Sequence, residues 1–398
     1  MKILYFYQYY ATPKGSWGTR VHEFAQEWVK QGHQVQVVTS IYSKSDLKAK
    51  KFIEHQKIEG VDVTVINVRI DNKQPTLKRI YTFLAYAVCS IWFALTAKAD
   101  VVISSSGPIT VGIPGLVAHY LRGKKMVFEA RDLWPEGAIE LGLIKNKTIQ
   151  KIAYALESRC YKASSLVVGL SIGMRENIQK RFPNTNVIDV TNAANIPLFA
   201  TPKAFKSKDG LMPKKYAIYT GNIGMVNNSL WLLEAAKILK KRDREDLVIL
   251  MIGEGQQREI IQENIGKHKL RNLLIWNLMP KEDLVSYVQH AMVSLVPLRG
   301  TPVLDTSSPN KFFESLAAGV PVVQNTQGWM KDFLKENEIG FTLNPNDPEE
   351  LAQTLIQLDS QSEQLDAMGE RAKIIAAKKF DKDYLANKML KAIEEAVR

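Results

Sequence analysis

Short runs of aliphatic and β-branched residues alternate with stretches of helical periodicity along this chain, and that rhythm constrains the fold more than any other property. Strand-like KILYFYQ is followed by GTRVHEFAQEWVKQGHQVQVVTS, where Val21, Phe24, Ala25, Trp28 and Val29 form a helical stripe that Gly32 closes before a second strand. The pattern continues through VDVTVINV, an apolar helix, ADVVISSS, a helix from about Pro108, KKMVFEA, a helix near Ile149 to Lys162, SSLVVGLS, a further helix and NVIDVTNA. Strands separated by helices cannot pair as tight hairpins, so they lie parallel, with the helices covering the sheet.

The residues ATPKAFKSKDGLMPKK, Ala200 to Lys215, break the rhythm with Pro, Lys and Gly. It then restarts through YAIYTGNIG, a helix near Trp231 to Lys240, LVILMIGEG, LLIWNL, a helix from Lys281, VSLVPL, SSPNKFFESLAAG and VPVVQ. The expectation is α/β architecture with two Rossmann-like domains, 1–200 and 216–381, a linker over 201–215, and a C-terminal helix over 382–398 that packs back on the first domain. No fixed-period repeat is present, which excludes a solenoid.

A content of 45% hydrophobic and 24% charged residues suits a folded globular protein, and 398 residues are too many for one ordinary core. Two cysteines, Cys89 and Cys160, without a His or Cys cluster beside them, argue against a disulfide framework or a zinc site and for a reducing compartment. The start MKILYFYQYYATPKG lacks the features of a signal peptide and reads as a first strand, giving the expectation of a cytoplasmic protein. The net charge of +12 calls for a negative partner: a phosphorylated substrate, anionic lipid or nucleic acid. Lys and Arg are dispersed and accompany no nucleic-acid motif, so nucleic acid is not expected. The run IYTFLAYAVCSIWFALTA, Ile80 to Ala97, is near the length of a membrane span and is flanked by Lys78, Arg79 and Lys98. A span would part strands of one sheet. Two readings stay open: a helix buried against the sheet, or a partly exposed helix making peripheral contact with the anionic inner face of a membrane.

In SSPNKFFESLAAGVPVV, Ser308 suits an N-cap, Pro309 the first helical position and Gly319 the helix end. Phe312, Phe313, Leu316 and Ala317 point inward by spacing, leaving Asn310, Lys311 and Glu314 near the helix N-terminus, where free N–H groups favour anions. Taken alone, Lys311 and Glu314 read as an i, i+3 surface pair. Their place after the strand VSLVPL and the loop RGTPVLDTSS favours a functional reading, because open α/β sheets bind ligands beyond their strands' carboxyl ends. Glycines in TGNIG and IGEG, at two other strand exits, allow close backbone approach to a phosphate. His22, His33 and His119 have no paired nucleophile and read as structural, and Asp381 and Asp383 read as solvated acids at a helix start rather than a metal site.

These pieces, with KGSWGTR, QGHQVQVVT, VTNAANIPLF and VILMIGEGQQ, resemble glycosyltransferase family 4 over nearly the whole chain. FEARDLWPE, Phe128 to Glu136, is similar to the subgroup that includes bacterial fucosamine transferases of surface-polysaccharide assembly. The resemblance implies the GT-B fold, with a first domain for the acceptor and a second for a nucleotide-sugar donor, UDP-sugar being the expected form. It implies a retaining hexosyl transfer without metal or other cofactor, onto a glycan or polyprenyl-diphosphate-linked acceptor of lipopolysaccharide or capsule type. The second acid of the family's pair aligns with Glu314, for the ribose; the first falls at Thr306, with Asp305 beside it. Where the family often has Arg and Lys for the diphosphate, this chain has Asn222 and Asn227. The implied donor site comprises Gly18, Asn222, Gly224, Gly253, Glu254, Arg299, Asp305, Thr306, Asn310, Lys311 and Glu314, with Lys311 first among the phosphate candidates and Arg299, Arg20 and Arg131 after it. Arg131, Asp132 and Glu136 are the acceptor candidates, and Glu314, Lys311 and Arg131 the catalytic ones. For Arg131 and Asp132, a buried pair that fixes a loop is the competing reading, as a loop anchor is for Trp17. A nucleotide-sugar epimerase and a non-enzymatic lipid- or polyanion-binding protein are the alternatives; a dinucleotide oxidoreductase is disfavoured because TPKGSWGTR lacks G-x-G-x-x-G.

Overall fold

The computed structural model describes residues 1–71 and 74–398. The chain divides into two compact units, Met1–Thr191 together with Lys382–Arg398, and Asn192–Asp381.

The first unit holds strands β1 (Lys2–Phe6), β2 (Gln34–Tyr42), β3 (Ile53–Ile58), β4 (Val61–Ile70), β5 (Val101–Ser105), β6 (Lys125–Ala130), β7 (Leu166–Gly169) and β8 (Val187–Asp189). They form one sheet in the order β3-β4-β2-β1-β5-β6-β7-β8. All neighbours are parallel except β3 and β4. Strands such as β5, buried along its whole length, read as continuous apolar runs because helices cover both faces. The β3–β4 hairpin was not foreseen. It turns at Glu59 and Gly60, whose φ values of 48° and 90° match the primed turns that suit strand twist. IEHQKI carries too little apolar alternation to signal a strand.

The last helix, Lys382–Val397, lies in this first unit against the helix Arg20–Lys30. It buries Leu385, Ala386, Met389, Leu390 and Ile393, one stripe of three- and four-residue spacing. The fully buried Trp28 donates its indole N–H to Ala386 O at 2.9 Å.

The apolar helix Thr76–Thr96 connects β4 to β5, which share a sheet. One side is core: Thr82, Tyr86, Ser90, Phe93 and Ala94 are buried, and the Tyr86 hydroxyl donates to Val38 O at 2.7 Å. The other side is exposed and apolar, so full burial against the sheet is not what the helix achieves.

The second unit contains β9 (Tyr216–Asn222), β10 (Val248–Glu254), β11 (Leu273–Trp276), β12 (Val293–Val296), β13 (Val322–Gln324) and β14 (Gly340–Thr342), all parallel, in the order β11-β10-β9-β12-β13-β14. From β9 the chain runs outward through β10 and β11, then returns to β12 on the other side, so the switch point lies between β9 and β12. The stretch expected as a linker packs on this unit instead. Phe205 lies against the rings of Tyr216, Tyr287 and His290, Asp209 accepts the Trp276 indole N–H at 2.8 Å, and Ala204 O accepts from Ser286. Its Pro- and Lys-rich composition hid two anchoring side chains and a backbone carbonyl, and the chain passes between units at Thr191 and Asn192.

Seating of the last helix on Trp28 makes the residue costly to truncate. Trp28→Ala is expected to lower stability by roughly 3–5 kcal/mol in urea unfolding, and an unchanged midpoint would show that the helix contributes little there.

Candidate functional site

The helix Asn310–Ala317 is fixed from below. Phe313 stacks on Trp329 and meets Phe380 edge-on at 4.8 Å between centroids, while Ser315 and Ser294 of β12 share a hydroxyl bond of 2.7 Å. Its start lies one residue later than expected, because Ser308 does not cap it: the Ser308 hydroxyl and carbonyl accept the backbone and side-chain N–H of Asn192.

This anchoring places Lys311 and Glu314 in a buried setting, so they are not a surface pair. Lys311 Nζ lies at the β9–β12 switch point, 3.2 Å from Asn227 Oδ1 and 4.0 Å from the centroid of the Tyr219 ring. A Cβ added to Gly221 would stand 3.6 Å from the same nitrogen, and φ of +134° at that position independently requires glycine. Burial drives the Lys311 ammonium down to about 7, and the Glu314 carboxylate only partly opposes this. Glu314 has a different partner: Lys281 Nζ, 2.5 Å from Oε1, in a pair whose side chains are 15% and 10% exposed. No sequence signal marked Lys281 as its partner; it opens the helix after β11 and lies 33 positions away.

The other donor-side candidates are distributed around these two. Arg299 is exposed, its guanidinium 3.1 Å from Met225 Sδ, and its backbone N–H reaches Val226 O, so it rims the loop that carries Asn227. The Asn222 carbonyl accepts the Tyr219 hydroxyl at 2.5 Å. Glu254 pairs with Arg258 at 2.6 Å. Asp305 accepts the Gln327 N–H at 2.8 Å and Thr306 donates to Val303 O, both bonds holding loop geometry, and Asn310 is half-buried at the helix start. Glycine roles differ from the expected approach to phosphate. A Cβ on Gly253 would lie 1.8 Å from Gly221 O, one on Gly255 2.2 Å from Ile223 O, and one on Gly224 2.7 Å from the Asn222 amide nitrogen. What these glycines admit is neighbouring protein.

In the first unit the strand exits converge on Glu129, which no sequence signal marked. Its fully buried carboxylate accepts from Arg20 Nε at 2.8 Å, from the Tyr5 hydroxyl at 2.8 Å and from Ser105, with Arg131 Nη1 at 4.0 Å. Burial alone would raise its pKa, but Arg20, Arg131 and the Ser105 bond outweigh that and hold it below the usual range. Arg20 also donates to the carbonyls of Val190 and Thr191, so its donors are committed within the fold, beside the buried Gly18. Arg131 is different. It stacks over Tyr7 at 4.9 Å, and its buried Nη1 has no hydrogen-bond acceptor among the described residues. Asp132 is exposed, while Glu136 Oε2 is buried 3.9 Å from Arg181. Trp17 meets Tyr42 edge-on at 5.0 Å, as a loop anchor does. His22 is held between the Tyr10 hydroxyl and Glu59, and burial lowers its pKa.

Cationic side chains, Lys311 in one unit and Arg131 in the other, stand where open α/β sheets bind their ligands, and comparison with known proteins gives the class. Residues 15–193 match the glycosyl transferase 4-like domain and residues 214–361 the glycosyl transferases group 1. The chain belongs to the GT-B glycosyltransferases. It is 22% identical over 275 residues to the probable glycosyltransferase WbjE of Pseudomonas aeruginosa, covering 66% of this chain and 68% of that one. Sucrose-phosphate synthase from Thermosynechococcus elongatus shares the fold with TM-score 0.75 and 14% identity over 99% of this chain and 98% of that chain. The HepE protein of Anabaena, solved with UDP and glucose, does so with TM-score 0.71 and 13% identity over 99% and 100%.

Lys311 makes stability depend on pH. The unfolded chain keeps this proton up to the ordinary lysine range, near ~10.4, whereas the folded unit releases it around 7, so the unfolded state binds more protons between the two. Stability contributed at this position therefore rises with pH across that window. Thermal unfolding of the ligand-free protein followed through it is expected to show this rise, and Lys311→Met to flatten it; identical profiles would remove Lys311 as the cause.

Proposed function

We propose that this glycosyltransferase is a retaining, metal-independent enzyme that moves a sugar from a UDP-sugar to a glycan or polyprenyl-diphosphate-linked acceptor in surface-polysaccharide assembly. The observation that carries the donor assignment is the buried Lys311 ammonium at the switch point, held by the neutral Asn227 oxygen and the Tyr219 ring with a helix N-terminus beside it. A diphosphate would supply the missing negative charge, and Arg299 on the rim would add a second cation. Glu314 is assigned to the ribose hydroxyls, with Lys281 orienting its carboxylate. UDP as the donor nucleotide is supported by HepE, whose structure holds UDP and glucose on the same fold. Arg131, whose buried Nη1 lacks a hydrogen-bond acceptor among the described residues, is assigned to a phosphate or acceptor oxygen. The surface-polysaccharide setting rests on the likeness of FEARDLWPE to enzymes of that kind.

In the proposed step the bond from the sugar's anomeric carbon to the phosphate oxygen breaks, and the acceptor oxygen bonds to that carbon on the same face. The acceptor's proton passes to the departing diphosphate. Little protein acid–base chemistry is required; the enzyme contributes orientation and positive charge where the leaving group develops its negative charge.

The test is ligand-induced thermal stabilisation with a panel of nucleoside diphosphates, because a ligand that binds only the folded state raises its stability. UDP is expected to give the largest shift. Lys311→Met should remove most of it, and calorimetry near pH ~8 in buffers of different ionisation enthalpy should show proton uptake on UDP binding by the wild type only. Glu314→Gln is the suitable change at the ribose position, since it keeps the side-chain volume beside Lys281; it should remain folded, at a lowered melting temperature, and lose transfer by at least ~10-fold. Equal shifts with every nucleotide, insensitive to Lys311→Met, would overturn the assignment.

A further inference from the structure

We propose that the outer side of the helix Thr76–Thr96 is a docking surface for an anionic lipid bilayer. Leu77, Tyr81, Val88 and Trp92 are 82%, 69%, 65% and 65% exposed, and Ile80 and Leu84 nearly half exposed. At positions 77, 81, 84, 88 and 92 these side chains form one stripe, roughly 22 Å long at the α-helical rise. No charged residue interrupts the sequence between Arg79 and Lys98. The neighbouring helix Gly112–Arg122 ends with Tyr120 and Leu121, 63% and 68% exposed. An apolar surface this long is uncommon on a protein meant to face only water.

Charge selects the occupant. Lys78 at one end of the stripe and Lys98 at the other are exposed, as are Arg122 and Lys125 beyond the end of the neighbouring helix. The nearest acid in sequence at the far end, Asp100, accepts the backbone N–H of Lys2 at 2.7 Å. Cations at the ends of an apolar stripe match a bilayer surface, where anionic headgroups lie beside the acyl boundary, and Tyr81 and Trp92 are residue types that favour this interface. A second copy of the chain would bring its own lysines against these. Crossing is precluded because β4 and β5, on either side of the helix, share one sheet.

The buried side of the helix is held rigidly, which makes the exposed side a fixed platform. Besides the Tyr86 bond, the Gln8 amide donates to Thr82 O at 3.4 Å, tying the helix to the exit of β1. Docking in this way does not depend on the transfer reaction; if that proposal also holds, the bilayer lies beside the strand exits of the acceptor unit, where a lipid-linked acceptor is needed.

The experiment is co-sedimentation of the full chain with phosphatidylcholine vesicles, with and without phosphatidylglycerol. Binding is expected only with the anionic lipid and should fall as salt is raised. The triple change Leu84→Gln, Val88→Gln, Trp92→Gln should reduce binding at least ~10-fold at an unchanged melting temperature. Lys78→Glu with Lys98→Glu, which leaves the stripe intact, should also weaken binding and serves if the triple variant fails to fold. No binding by the wild type, or equal binding by both variants, would overturn the proposal. So would a dimer in light scattering that the triple change dissociates, because the stripe would then be covered by a second copy.

Discussion

Parallel pairing is the constraint on which the rest of this structure depends. Apart from β3, every strand runs the same way as its neighbours, so each connection must cross a sheet face, and the loops after the strands collect at one end. At a switch point the connections leave in opposite directions and open a crevice. In the second unit that crevice lies between β9 and β12 and brings Gly221, Asn227 and Lys311 together from distant parts of the chain. In the first unit the exits of β1, β5 and β6 bring Tyr7, Ser105, Glu129 and Arg131 together. The site chemistry is therefore a product of topology before it is a product of any one motif.

The two units treat buried charge in different ways. Arg20 and Glu129 neutralise each other at 2.8 Å and spend their remaining capacity on Tyr5, Ser105 and two carbonyls, as a structural ion pair must. Lys311 faces an amide oxygen and an aromatic ring, and the carboxylate one turn away on its own helix is taken by Lys281. The first arrangement stabilises architecture; the second leaves a cation whose desolvation an incoming anion can offset. Arg131 combines both situations, close to Glu129 yet with a buried nitrogen lacking a hydrogen-bond acceptor among the described residues.

Much of the fold was legible because helix and strand periods are local. Phe312, Phe313, Leu316 and Ala317 are buried as their spacing required, and the glycosyltransferase resemblance rested on segments placed in the right order. What stayed hidden depends on distance in sequence. Glu129 meets Arg20 across 109 positions and Glu314 meets Lys281 across 33, and neither pairing leaves a local trace. Gly253 and Gly255 were visible as strand-exit glycines, but their reason, the backbone of Gly221 and Ile223 lying against them, exists only once β9 and β10 are adjacent. Phe205, Asp209 and Ala204 sat within a segment whose composition spoke for a tether, and three anchors were enough to overrule it.

The position of the last helix has a consequence for biosynthesis. The ribosome delivers β1 to β8 long before residues 382–398, so the surface around Trp28 waits, uncovered, while the entire second unit is made. Vectorial synthesis can thus complete the second unit first, even though it comes later in the chain, and the N-terminal unit closes only once residues 382–398 have followed it.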